Sequence, residues 1–232
     1  MLTGSKPQIP LRKENSPSLT EIAVPVANRE SIFSKSPTYL SPLLGAELWQ
    51  IFFDLNQFTA FVSYHRTRKD NLRPQQSASF EHWNSNLEYR LLSYSPPDVG
   101  TKICDNNFKE ALRIAGVLWI NTGLWDFPLS TSLVRSMADQ LVNVLMGSDF
   151  ASWIERFPDI LVWILVIGSC CSLGEGSRRE FLLGHLQYIA TLRGFESKED
   201  IVKAMRSFIY IDGAYSSSMA VLWRDIGEEG LG

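Results

Sequence analysis

The segment that most constrains this chain is Ile160-Leu161-Val162-Trp163-Ile164-Leu165-Val166-Ile167-Gly168-Ser169-Cys170-Cys171-Ser172-Leu173, about fourteen residues without a charge. A helix that crosses a bilayer needs roughly 20 apolar residues, so the run is too short to span. A helix apolar on every face must instead be surrounded by protein, because a surface helix keeps one polar stripe. The sequence therefore predicts a buried central helix, in preference to a surface dimerisation face. A chain of 232 residues, 45% of them hydrophobic and 12% aromatic, has the material to cover it.

Around this run, apolar residues recur at helical rather than strand spacing. Leu44, Leu48, Ile51, Leu55, Phe58 and Val62 recur at alternating steps of four and three, after a capping Ser41 and a first-turn Pro42. This helix is expected to fray around His65 to Arg73, where Arg66, Arg68, Lys69 and Arg73 precede Pro74 in a solvated loop. Phe80 to Tyr94 reads as a second helix with Phe80, Trp83, Leu87 and Leu91 on one face, stopped by Pro96-Pro97. A third runs from Asp105 to Trp125, is apolar nearly all round at Ala111 to Ile120, and leaves Arg113 in need of a partner or a route to water.

The fourth helix, Ser132 to Met146, shows Leu133, Met137, Leu141 and Leu145, with Gly147 at the site of a left-handed cap. After the apolar run, Ser177-Arg178-Arg179-Glu180 fits a capping box for a sixth, with Phe181, Leu182, Leu186, Ile189 and Leu192 inward and Gly194 as its stop. Ser197 to Asp200 starts a seventh whose face is Ile201, Met205, Phe208 and Ile209, broken at Asp212-Gly213. A short eighth holds Met219, Leu222 and Trp223. No period-two alternation persists and no internal repeat stands out. The expected fold is all-α: one domain of about eight helices over residues 41–232. Residues 1–40, with Pro7, Pro10, Pro17, Pro25 and Pro37 among serines, read as a linker or disordered arm.

Charge and cysteine usage narrow the function. With 22 basic and 25 acidic side chains the formal net charge is −3, which does not suit a protein that coats nucleic acid by bulk charge. Cys104, Cys170 and Cys171 lack the even spacing of a secreted disulfide scaffold, and the first residues carry no apolar secretory signal; a reducing compartment is expected. Neither membrane insertion nor a secretory route is read here.

Chemistry is harder to find. His65, His82 and His185 stand on separate segments outside any metal-binding helix motif, and read as ordinary polar side chains. Cys170 and Cys171 sit on the most apolar helix, where a thiol is an inert small group; the nearest charges, Glu175 and Arg178, lie past its end. Gly174-Glu175-Gly176-Ser177 precedes a helix but has no strand before it and no lysine, so it reads as a tight turn rather than a phosphate cradle. Asp126, Asp139, Asp159 and Glu180 are scattered, and no nucleophile elbow is present. Trp49, Trp119, Trp125, Trp163 and Trp223 could line a pocket for an apolar ligand, but such residues are more often core. No catalytic, cofactor-binding, metal or DNA-binding residue is assigned from sequence.

Taken in order, four segments resemble the fungus-specific regulatory domain that lies C-terminal to the DNA-binding cluster of zinc binuclear cluster transcription factors. Leu87-Glu88-Tyr89-Arg90-Leu91-Leu92 is similar to the family's short helix with a charge before paired leucines. Glu110 to Thr122 is similar to its basic-then-apolar central helix. Ile160 to Gly168 resembles its Leu/Trp run closing on glycine, followed by Arg178-Arg179-Glu180-Phe181; Leu222-Trp223-Arg224-Asp225-Ile226 resembles its C-terminal helix ending. The match spans about residues 41 to 226.

The resemblance implies a nuclear, helical regulatory module, tuned through intramolecular contacts, partner proteins or small-molecule effectors. The family's six-cysteine basic segment is not in this sequence, so neither zinc nor DNA readout carries over. The expected function is a transcription-regulator-like interaction domain, not an enzyme, with no direct specific nucleic-acid binding. Its expected partners are proteins of the transcription machinery, or a second copy in a homodimer, with a small-molecule effector. The alternative is a helical small-molecule binder or enzyme whose site is built from residues distant in sequence.

Overall fold

In the computed structural model, the described residues are 44–68, 74–96, 103–125, 127–172 and 176–229. The expected arm, Ser41, Pro42, Lys69, Arg73, Asp126 and Gly174-Glu175 lie outside them. Among the described residues every regular element is helical, as the periodicity required. Backbone packing groups the chain into two units, Met1–Pro97 and Asp98–Gly232, divided just after Ser95-Pro96-Pro97.

In the first unit, α1 (Ala46–Arg68) and α2 (Pro74–Ser93) pack together. Leu44, Leu48, Ile51, Leu55, Phe58 and Val62 are all buried, as their spacing predicts. Leu44 lies just before α1, and Gly45 turns the chain with a φ of +79, a backbone that glycine adopts without a Cβ penalty. Helix α1 continues through His65 to Arg68, so the expected fraying does not begin at His65, and residues 69–73 of the expected loop lie outside the described ones. Likewise α2 begins at Pro74 rather than Phe80, because proline in the first turn gives up an amide hydrogen that has no helical partner anyway. Arg90 donates to Asp54 at 2.6 Å, and Phe58 meets Phe80 at 5.1 Å, which sets the two helices antiparallel.

The second unit contains α3 (Ile103–Trp119), which runs into a π-helical turn at Ile120–Leu124, then α4 (Ser132–Met146), α5 (Phe150–Arg156), α6 (Pro158–Cys171), α7 (Gly176–Leu192), α8 (Lys198–Phe208) and α9 (Ser216–Glu229). Helix α6 is the predicted apolar run, and every residue from Ile160 to Cys171 is buried. It packs against all six other α-helices of the unit. Gly168 lets it approach closely: a Cβ there would meet Leu141 of α4 at 3.1 Å and Leu182 of α7 at 3.3 Å. No described helix is long and apolar enough to cross a membrane.

The caps divide into those read correctly and those not. Gly194 adopts a φ of +64, with Phe195 N–H donating to Ala190 O and Gly194 N–H to Thr191 O, a Schellman ending for α7. At the start of α8 the Asp200 carboxylate accepts from the backbone N–H groups of Glu196 and Ser197 and from the Ser197 hydroxyl, as the capping sequence requires. Gly147, by contrast, has a φ of −90, so its cap is not left-handed; its carbonyl instead accepts from Asn107 Nδ2 at 3.0 Å. Ser177 does not precede α7 but lies inside its first turn. Helix α5 was not expected; Asp149 caps it by accepting from Ser152 N–H.

Candidate functional site

The least ordinary backbone in the second unit lies where α3, the end of α6 and the start of α9 meet. Helix α3 widens into the π-helical turn Ile120–Leu124, all five residues of it buried. Gly123 is required there, because a Cβ would come within 2.7 Å of the Trp119 ring. Such widened turns are uncommon and occur often at functional sites. Tyr215, which precedes α9 and accepts from Met219 N–H through its carbonyl, has a φ of 57, the only non-glycine residue with a positive φ among the described residues. A tyrosine in that region costs of order 1–3 kcal/mol unless its surroundings hold it.

One hydroxyl joins these two features. Thr122 Oγ1 donates to Leu118 O at 2.6 Å, which uses its single hydrogen. It must therefore accept from the Tyr215 hydroxyl, to which it is also bonded. Cys171 Sγ lies 3.9 Å from the same oxygen. The rings of Trp119 and Tyr215 stand 5.9 Å apart, and Trp119 and Trp163 stand 6.2 Å apart. Trp163 Nε1 donates to Ile209 O at 2.6 Å, so the chain leaving α8 is fastened to the central helix.

A second junction lies at the same C-terminal end of α6. Arg179 of α7 donates to Ser169 O at 2.9 Å and to the Asp225 carboxylate of α9 at 2.5 Å. Ser169 O is one of the carbonyls that a helix end leaves without an intrahelical partner, and a cation there also suits the helix dipole. The bonded Arg179 guanidinium holds the Asp225 carboxyl below the usual range.

These surroundings leave little reactive chemistry. Burial pushes the Cys171 thiol up to about 12, against a smaller opposing effect of the Thr122 bond, and raises Cys170 further. Both thiols are protonated at neutral pH, so neither is a nucleophile. Burial lowers the His185 imidazole, which stacks on Phe150 at 3.9 Å and meets Phe181 edge-on at 4.6 Å. His65 packs on Phe61 at 4.5 Å, with a buried Nδ1 that has no hydrogen-bond partner. Among the described residues, no three of histidine, cysteine, aspartate and glutamate come together in a way that could hold a metal ion.

Of the carboxylates singled out by sequence, two are paired and Glu180 is exposed. Asp159 pairs with Arg193 and accepts from the Ser207 hydroxyl at 2.9 Å, while Asp139 pairs with Arg178. Arg113, which needed a partner, has Glu110 at 2.6 and 2.7 Å. Of the five tryptophans that could line a pocket, Trp119 and Trp163 come together in the core, whereas Trp125 is exposed. Trp153, not singled out by sequence, is fully buried against Phe108 at 5.0 Å. Tyr215 and Thr122 were also missed, since 93 residues separate them.

No protein-family model matches this chain, and neither a curated protein nor a solved structure matches it.

Proposed function

We propose that the chain is a helical regulatory module of the transcription-regulator type, non-enzymatic and nuclear, which acts through partner proteins or an effector rather than by reading DNA itself. The observation that supports this best is that three of the four family-like segments pack on one another. Helix α3, with Glu110 to Trp119, lies against α6, with Ile160 to Gly168. Arg179, from the third segment's Arg178 to Phe181, then bridges Ser169 of α6 to Asp225 in the fourth segment. Residues that would otherwise be three separate core patterns thus form one junction.

Tethering provides the test. The full chain, fused to a heterologous DNA-binding domain at a reporter promoter in a fungal host, is expected to change transcription several-fold, and Arg179→Ala is expected to reduce that change. A fusion that accumulates, folds and leaves the reporter at its basal level would overturn the reading.

A second reading, a small-molecule binder or enzyme, is favoured by one observation: the π-helical turn and the left-handed Tyr215 face each other beside Trp119 and Trp163. Thermal shift of the purified chain against a set of aromatic and apolar compounds distinguishes it, since a ligand of the folded state raises Tm in proportion to its occupancy.

A further inference from the structure

Residues 209–215 join α8 to α9 and carry two left-handed positions, Gly213 at a φ of +88 and Tyr215 at 57. The backbone bonds within this stretch are local: Ala214 N–H to Ile211 O, and Ser216 N–H to Gly213 O. Its polar ties to the rest of the unit include its two ends and Asp212, whose exposed carboxylate accepts from Arg206 of α8 at 2.5 Å. Ile209 O is held by the Trp163 indole, and the Tyr215 hydroxyl is held by Thr122. Asp212 and Gly213 between them are exposed, whereas Ile209, Ile211, Ala214 and Tyr215 turn inward. Cys171, 2% exposed, shares the Thr122 oxygen that the Tyr215 hydroxyl contacts, and Cys170, 1% exposed, precedes it on α6.

We propose that residues 209–215 form a strap that opens as a unit while the helices stay folded, with the Tyr215–Thr122 bond as its latch, Trp163–Ile209 as its anchored end, and Cys170 and Cys171 as the groups it uncovers.

Opening is opposed by the latch and by four inward side chains. It is favoured by the return of Tyr215 to an ordinary backbone region and by the chain entropy regained. Opening breaks one helical hydrogen bond at most, that from Met219 N–H to Tyr215 O at the start of α9, together with the exposed Arg206–Asp212 pair. Such an element has a local opening free energy well below that of global unfolding. The latch also links the strap to the π-helical turn, since Thr122 sits within it.

Native-state thiol labelling tests this directly. The full chain is incubated with an excess of a thiol reagent across a series of urea concentrations below the unfolding transition, and labelled peptides containing Cys170 and Cys171 are quantified by mass spectrometry. The expected labelling rate is flat at low urea, then rises with the slope of global unfolding, because a small opening exposes little surface. Thr122→Val and Tyr215→Phe each raise the flat rate roughly tenfold, about what one hydrogen bond controls, and the double variant adds no more because both remove the same bond. A wild-type rate that follows the global slope from zero urea would show that the thiols are reached only by unfolding and would overturn the strap. A flat rate that neither substitution changes would overturn the latch.

Discussion

Replacing Trp163 by alanine removes a side chain with no exposure, whose ring meets Phe208 edge-on at 5.1 Å and Trp119 at 6.2 Å. Large-to-small changes of this kind cost about 3 to 5 kcal/mol, from lost transfer energy and the cavity left behind. Here the indole also donates to Ile209 O at 2.6 Å, and a buried carbonyl left without that partner costs about 1 to 3 kcal/mol. The terms are not additive, so the expected loss is near the top of the first range, about 5 kcal/mol. Total stability for such proteins is about 5 to 15 kcal/mol, and each kcal/mol shifts Tm by roughly 2–4 °C at this length. The variant is therefore expected to melt about 10 to 20 °C lower or not to fold. Trp163→Phe keeps a ring but loses the N–H, and is expected to cost about 1 to 3 kcal/mol. Urea denaturation followed by near-ultraviolet circular dichroism gives the magnitudes, and sedimentation gives the oligomeric state. A Trp163→Ala protein that is monomeric, folded and within about 1 kcal/mol of the parent would refute the burial argument. Wild-type stability together with a shifted monomer–dimer equilibrium would instead identify an interface helix.

Other outcomes follow from particular contacts. Gly123→Ala drives a Cβ to 2.7 Å from the Trp119 ring and should cost about 1–3 kcal/mol by overpacking, measured by the same denaturation. Because burial lowers the folded-state His185 relative to its unfolded value, the neutral form supports the fold: its contribution is present above the unfolded value near 6.5 and is lost as pH falls through the lower folded one. Stability measured from pH 7.5 to 5 should therefore fall, and His185→Phe should flatten that slope; an unchanged slope would contradict it. Asp225 is likewise held low by Arg179, so its contribution is present above the ordinary carboxylate value and disappears as acid takes pH below the folded one. Asp225→Asn should reduce the acid loss, as read by the pH of half-unfolding. No sequence-selective DNA complex should survive physiological salt, and any weak binding should fall steeply as salt rises in a fluorescence anisotropy titration.

The helices were legible where apolar spacing and end signals agree. Ser132 to Met146 begins and ends where the sequence placed it, with Thr131 accepting from Val134 N–H ahead of it. The Gly194 and Ser197-to-Asp200 signals worked because their side chains and backbone needs are local, spanning four or five residues. Helix α5 escaped because seven residues, Phe150–Arg156, are too few to establish a period, although Asp149 was a usable cap signal. The π-helical turn was illegible since its composition, Ile-Asn-Thr-Gly-Leu, also suits an α-helix; only the Trp119 ring above Gly123 reveals the need for the extra residue. A left-handed Tyr215 has no composition signal at all, unlike the glycines at 194 and 213. Nor could spacing pair Arg179 with Asp225 across 46 residues, even though both stand in segments the resemblance had singled out.

The division of the second unit into a stable central helix and a weak strap is tested most directly by native-state hydrogen exchange. Amides of residues 160–171 should exchange only through global unfolding, with protection equal to the stability measured by urea, while those of 210–216 exchange through a smaller opening that low urea does not accelerate. Exchange of the α6 amides within minutes, insensitive to urea, would contradict the placement of that helix at the centre of the fold.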